Sequence, residues 1–156
     1  MPYTLDWAWS ADSLSEVHFN LRNSYAPVAL FDKDYDDMGI DVLRKKQYPE
    51  LKSGTTETRT LVLYNDCYTD ENVQVEVRLE SQGKLLANDI RDLKLTLGEH
   101  LDFRCEFMVT ATGYGKIDLV LITRKNGKLT FREVIAFKVV PGAEKTEQRK
   151  TYLKIL

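Results

Sequence analysis

From Thr56 onward, apolar and polar positions alternate with period two in short segments, divided by turn-forming residues about every 8–15 positions. Across Asn72–Glu80, Val73, Val75, Val77 and Leu79 alternate with Gln74, Glu76, Arg78 and Glu80. A strand of this kind buries one face and wets the other. Arg59–Asn65 (RTLVLYN) precedes it and ends at an Asn-Asp turn. After the Ser81-Gln82-Gly83 turn comes Leu85-Leu86-Ala87, and beyond Asn88-Asp89 the alternation resumes at Leu93, Leu95 and Leu97. Leu101, Phe103, Cys105, Phe107 and Val109 repeat it.

Lys116–Arg124 is apolar on both faces in its middle, the pattern of a central strand. Asn126-Gly127 supplies the positive-φ pair of a type I′ hairpin, with Lys128–Val140 as the return strand. Pro141-Gly142 closes that strand, because proline cannot donate to a ladder and glycine frees the chain. About seven antiparallel strands at this spacing predict an all-β fold, an immunoglobulin-like or fibronectin-like β-sandwich.

The first 24 residues lack this rhythm. Ser13 and Glu16 have capping-box spacing, and Leu14, Val17 and Leu21 share a helical face, which predicts a short helical lead over Leu14–Asn23. Val17, Phe19 and Leu21 also alternate, so a strand is the competing reading. The expected organisation is a lead over residues 1–24, a sandwich over 25–141, and a charged tail or linker over 142–156.

Composition narrows the functional classes. With 43% hydrophobic and 29% charged residues over 156 positions, the chain is long enough to bury a core without disulfides or a structural metal. A net charge of −2 gives no global field for nucleic acid, and Arg44-Lys45-Lys46 is too short to neutralise many phosphates. No apolar run approaches the roughly 20 residues of a membrane-spanning helix, so neither nucleic acid nor membrane insertion is expected. The start of the chain lacks the basic and apolar regions of a signal peptide. Cys105 falls in phase with buried positions, and a bridge to Cys67 is left open.

Candidate chemistry is sparse. Asp32, Asp34 and Asp36 occupy the first, third and fifth positions of a calcium-loop pattern, but Asp37 replaces its sixth-position glycine and Leu43 its twelfth-position glutamate. A solvated turn after an apolar strand is the simpler reading, and calcium is the one cofactor left in play. In extended chain the three carboxylates would line one outward face. No carboxylate pair, nucleophile motif or phosphate loop stands out, and His100 reads as a surface histidine. Trp7 and Trp9 would share a face if extended, where flat rings stack on sugars or pack against a neighbouring domain. Tyr114, in the Ala111–Gly115 turn, joins them as a sugar-contact candidate.

Leu21–Gly39 (LRNSYAPVALFDKDYDDMG), followed by Arg59–Asp66 (RTLVLYND), resembles the stretch after the catalytic barrel in family-2-type glycoside hydrolases, the β-galactosidase- and β-mannosidase-like enzymes of glycan-degrading bacteria. In that family a barrel helix runs through a YAPV-like segment into the first strand of an immunoglobulin-like domain. The resemblance implies a non-catalytic accessory domain partnered by the parent enzyme's barrel, in contact with oligosaccharide at most through loop aromatics. It also implies a periplasmic or extracellular parent. The family's catalytic glutamates lie in the barrel, and no residue here matches their motifs.

Overall fold

The alternation over Glu71–Ser81 puts Val73, Val75, Val77 and Leu79 out of water altogether, and Ile117, Leu119 and Leu121 of the paired strand Lys116–Lys125 do the same. A row of this kind must find a second apolar face. The computed structural model of the protein describes residues 9–10, 13–14, 23–39, 48–110, 115–142 and 150–156, with side chains from residue 23 onward.

In chain order the described elements are β1 (Trp9–Ser10), β2 (Ser13–Leu14), β3 (Val28–Asp32), α1 (Lys33–Asp36), β4 (Glu50–Lys52), β5 (Thr56–Asn65), β6 (Glu71–Ser81), β7 (Lys84–Leu95), β8 (His100–Met108), β9 (Lys116–Lys125), β10 (Lys128–Val140) and β11 (Tyr152–Ile155). One sheet runs β4-β10-β9-β6-β7 and the other β11-β8-β5-β3, with β1 and β2 forming a separate two-stranded ribbon. All pairings are antiparallel except that of β4 with β10. The expected all-β sandwich is the observed architecture. Among the described residues its two sheets hold nine strands, against the expected seven or so.

The inward rows of both sheets merge into one core that includes Leu61, Leu63, Phe107, Leu119, Leu121, Phe131 and Phe137. Each large side chain buried in this way contributes roughly 1.5–3 kcal/mol of transfer free energy. Phe107 of β8 meets Phe137 of β10 edge to face at 5.7 Å, an aromatic contact that joins the two layers.

Two tight hairpins carry the turn chemistry expected of them. Asn126 and Gly127 have φ of 50° and 74°, and Gln82 and Gly83 have φ of 51° and 75°, so both central residues of each turn are left-handed. Gly142 works differently from the expectation, which credited it with freeing the chain. A Cβ there would stand 1.9 Å from the Ser53 carbonyl oxygen, while its N–H donates to Ser53 Oγ at 3.0 Å. Glycine is required by the close approach of two backbones.

Three other expectations change. Asn88 and Asp89 do not break a strand: they lie inside the continuous β7, opposite Arg78 and Val77, on the edge of its sheet where polar residues are tolerated. Leu14, expected to open a helix, belongs to the β1–β2 ribbon opposite Trp9, while Asn23, at the other end of the expected helix, is helical together with Ser24, and residues 15–22 lie outside the described set. Tyr152–Ile155 is no tail. It adds a strand beside β8, burying Leu153 and Ile155, and Asp89 Oδ2 accepts from the Ile155 N–H at 2.8 Å while Arg91 Nη2 donates to the Ile155 carbonyl at 2.9 Å.

Candidate functional site

β3 and β5 pair from Val28 opposite Asn65 to Asp32 opposite Leu61. Leu61 and Leu63 face the core, so Val62 and Tyr64 must face outward, flanked by Phe31 and Ala29 of β3 and by Asp102 and His100 of β8. At the end of β3 the chain turns into α1. Asp32 is extended there and caps the turn, accepting the Tyr35 N–H at 3.0 Å. The same carboxylate receives Arg59 Nε at 2.9 Å and Nη2 at 3.1 Å, and the guanidinium carbon lies 5.3 Å from the Phe137 ring centroid. Asp34 Oδ2 accepts the Thr60 N–H at 2.6 Å. Two aspartates thus fasten α1 to β5. Burial pushes the Asp32 carboxyl up, against the pull of Arg59.

On the outer face beside this fastening, Phe31 packs against Tyr64 edge to face at 5.9 Å, and His100 tilts against Tyr64 at 5.8 Å. Phe131 supports Phe31 from behind at 5.3 Å. Tyr64 keeps 38% of its surface in solvent. The Phe31–Tyr64 ridge separates two clefts. One, about 490 Å³, has Asp36, Asp37 and Asp102 with Lys33 and His100. The other, about 460 Å³, has Asn23, Asp66 and Glu133 beside Phe131.

Glu133 stands on the core-facing row of β10, between Phe131 and Ile135. Burial, with the charges of Asp36 and Asp32, pushes its carboxyl from the usual 4.5 up to about 7. Asp36 is pushed up by burial and by its neighbours Asp32 and Asp37, and the Tyr35 hydroxyl by burial and by Glu133. The arrangement offers a half-exposed aromatic ridge between two sets of hydrogen-bonding groups.

The three aspartates of the calcium pattern do not share an outward face. A helical turn follows β3, so Asp32 points inward and is 1% exposed, Asp34 is committed to a backbone N–H, and only Asp36 lines a cleft. Among the described residues no group of three or more His, Cys, Asp or Glu side chains gathers as a metal site. Trp7 and Tyr114 lie outside the described residues, and Trp9 is described only as backbone in β1. Cys67 and Cys105 are both free thiols. Phe31, Tyr64, His100 and Glu133 were not singled out together by the sequence, although Tyr64 stands at an outward position of its strand.

No protein-family model matches the chain, and no curated protein matches it. Among solved structures, the chain is similar to a β-glucuronidase from glycoside hydrolase family 2, with 8% identity and a TM-score of 0.46 over 73% of this chain and 11% of that one. It is similar to a glycosyl hydrolase family 2 member from Bacteroides cellulosilyticus DSM 14838, at 13% identity and 0.44 over 56% and 13%. It is also similar to the alkylpurine DNA glycosylase AlkC of Pseudomonas fluorescens, at 13% and 0.40 over 59% and 28%. The chain spans less than a third of each of these proteins. Likenesses this distant, spread over glycoside hydrolases and a DNA glycosylase, assign no activity.

Proposed function

We propose that the chain is a non-catalytic accessory β-sandwich of a multidomain glycoside hydrolase, working beside a catalytic barrel in carbohydrate degradation outside the cytoplasm. One observation carries this reading. The two segments that resemble the family, Leu21–Gly39 and Arg59–Asp66, form a single physical unit. Their strands β3 and β5 are paired along the whole of β3, and Asp32 of the first holds Arg59 of the second through two hydrogen bonds. A junction signature of this family has a physical reason to keep both halves, since each supplies a partner that would be left buried and unpaired without the other.

Two measurements test it. The purified chain is expected to leave a panel of aryl glycosides intact, and an antibody raised against it is expected to detect, in the source cells, a polypeptide far larger than 156 residues. Aryl glycoside hydrolysis by the pure chain overturns the non-catalytic reading. A polypeptide of about the chain's own size replaces the accessory domain with a free-standing binding module.

A further inference from the structure

We propose that the Phe31–Tyr64 ridge binds a neutral glycan, with one uncharged sugar ring stacked on Tyr64 and its hydroxyls held by the carboxylates of the two clefts. This deepens the accessory-domain reading, and rests on it for the expectation that glycans are the molecules encountered. The geometry itself stands on the four-stranded sheet, on the turn of α1 that follows β3, and on Phe131 and Glu133 of β10.

A sugar ring presents a face of C–H groups, weakly positive, with hydroxyls around its rim. The complementary surface is the electron-rich face of an aromatic ring with acceptors to either side. Tyr64 meets that description: its inward neighbours Leu63 and Asn65 are fully buried, while Tyr64 itself stays partly in solvent between Phe31 and His100. Phe31 and His100 flank it on the two adjoining strands, so the ring is held in place before a ligand arrives. The clefts on its two sides have the size of small-ligand sites.

Charge selects among glycans. Asp36, Asp37 and Asp102 stand on one side, and Asp66 and Glu133 on the other, and among the described residues Lys33 is the one lysine lining either cleft. Uronates and sulfated sugars would meet like charge there, which disfavours them. A further cleft of about 440 Å³, beside Asn126 and Gly127, has amide, carboxylate and guanidinium groups from Gln74, Asp92 and Arg124 but no aromatic ring, so it lacks the stacking surface.

The test is a glycan array carrying neutral and acidic oligosaccharides, followed by calorimetric titration of each hit, with tetramethylammonium as a cationic control. A neutral oligosaccharide is expected to bind. Tyr64→Ala should weaken it about tenfold or more and Tyr64→Phe less than about threefold, because the ring and not the hydroxyl supplies the stacking. Asp102→Asn should weaken the same ligand several-fold with the fold intact by circular dichroism. No neutral hit, binding indifferent to Tyr64→Ala, or preference for an acidic glycan or for tetramethylammonium overturns the proposal. These results separate from those above: a failed array with a large parent polypeptide and no hydrolysis leaves the accessory domain standing, whereas hydrolysis by the pure chain removes the non-catalytic reading without touching the ridge.

Discussion

The carboxylate of Asp32 and the guanidinium of Arg59 meet through two parallel hydrogen bonds, with side chains 0% and 9% exposed. Two charges so far from water hold each other in place, and neither is comfortable alone. Arg59→Met keeps much of the volume and strands Asp32. It is expected to cost about 3–5 kcal/mol in urea unfolding, with the paired Asp32→Leu/Arg59→Met protein recovering most of the loss. Additive losses in the double variant would contradict this coupling.

Glu133 makes stability depend on pH. Its folded-state carboxyl titrates near 7, above the 4.5 of an ordinary glutamate, so the folded protein holds this proton more tightly than the unfolded chain does. Its contribution is therefore fully favourable below about 4.5 and is lost as pH rises through about 7. Denaturant midpoints of Glu133→Gln and the parent protein should agree near pH 4 and diverge in favour of the variant by pH 8. Parallel profiles would show that the carboxyl is not held this way.

The two thiols should separate cleanly. Cys105 lies in the core, where burial pushes its thiol up to about 12, while Cys67 is half-buried near the surface. Thiolate is the reacting species, so a thiol reagent should modify one cysteine in the native protein and two in denaturant. Equal rates for both in native buffer would place Cys105 outside the core.

Gly142→Ala forces a methyl group onto the Ser53 carbonyl oxygen, with backbone on both sides of the clash. A loss of about 1–3 kcal/mol is expected, the cost of overpacking at a rigid contact. Gly127→Ala, strained by its φ of 74° but open in space, should cost about 1 kcal/mol. A reversed order in thermal melts would mean that turn geometry, not the close approach, dominates.

Much of the sandwich was legible because its information is local. The alternation from Val73 to Leu79 names a buried row, and Asn126-Gly127 names its turn, without reference to distant residues. β11 was hidden because four alternating residues after a charged stretch carry little signal, and their partners on β8 lie far back in the chain. Asn88 and Asp89 carry the composition of a turn, and only Arg78, Val77 and Ile155 show that they are strand. The shared outward face expected of the aspartates fails for the same reason: spacing places Asp32, Asp34 and Asp36 identically in extended chain and in a capped turn. What turns Asp32 inward is Arg59, 27 positions away. Tyr64 was readable as outward-facing, but the ridge needs Phe31 and His100 from two other strands.

The strand made by Tyr152–Ile155 also sets the timing of folding. The four-stranded sheet draws one outer strand from Val28–Asp32 and the other from Tyr152–Ile155, so the edge of β8 stays open until the later of the two has been made. During synthesis on the ribosome that edge, from Cys105 to Met108, stays exposed to any other strand in reach. Pairing of Tyr152–Ile155 with Cys105–Met108 is therefore the step that moves the edge of this sheet from β8, with its buried Cys105 and Phe107, to a strand of four residues.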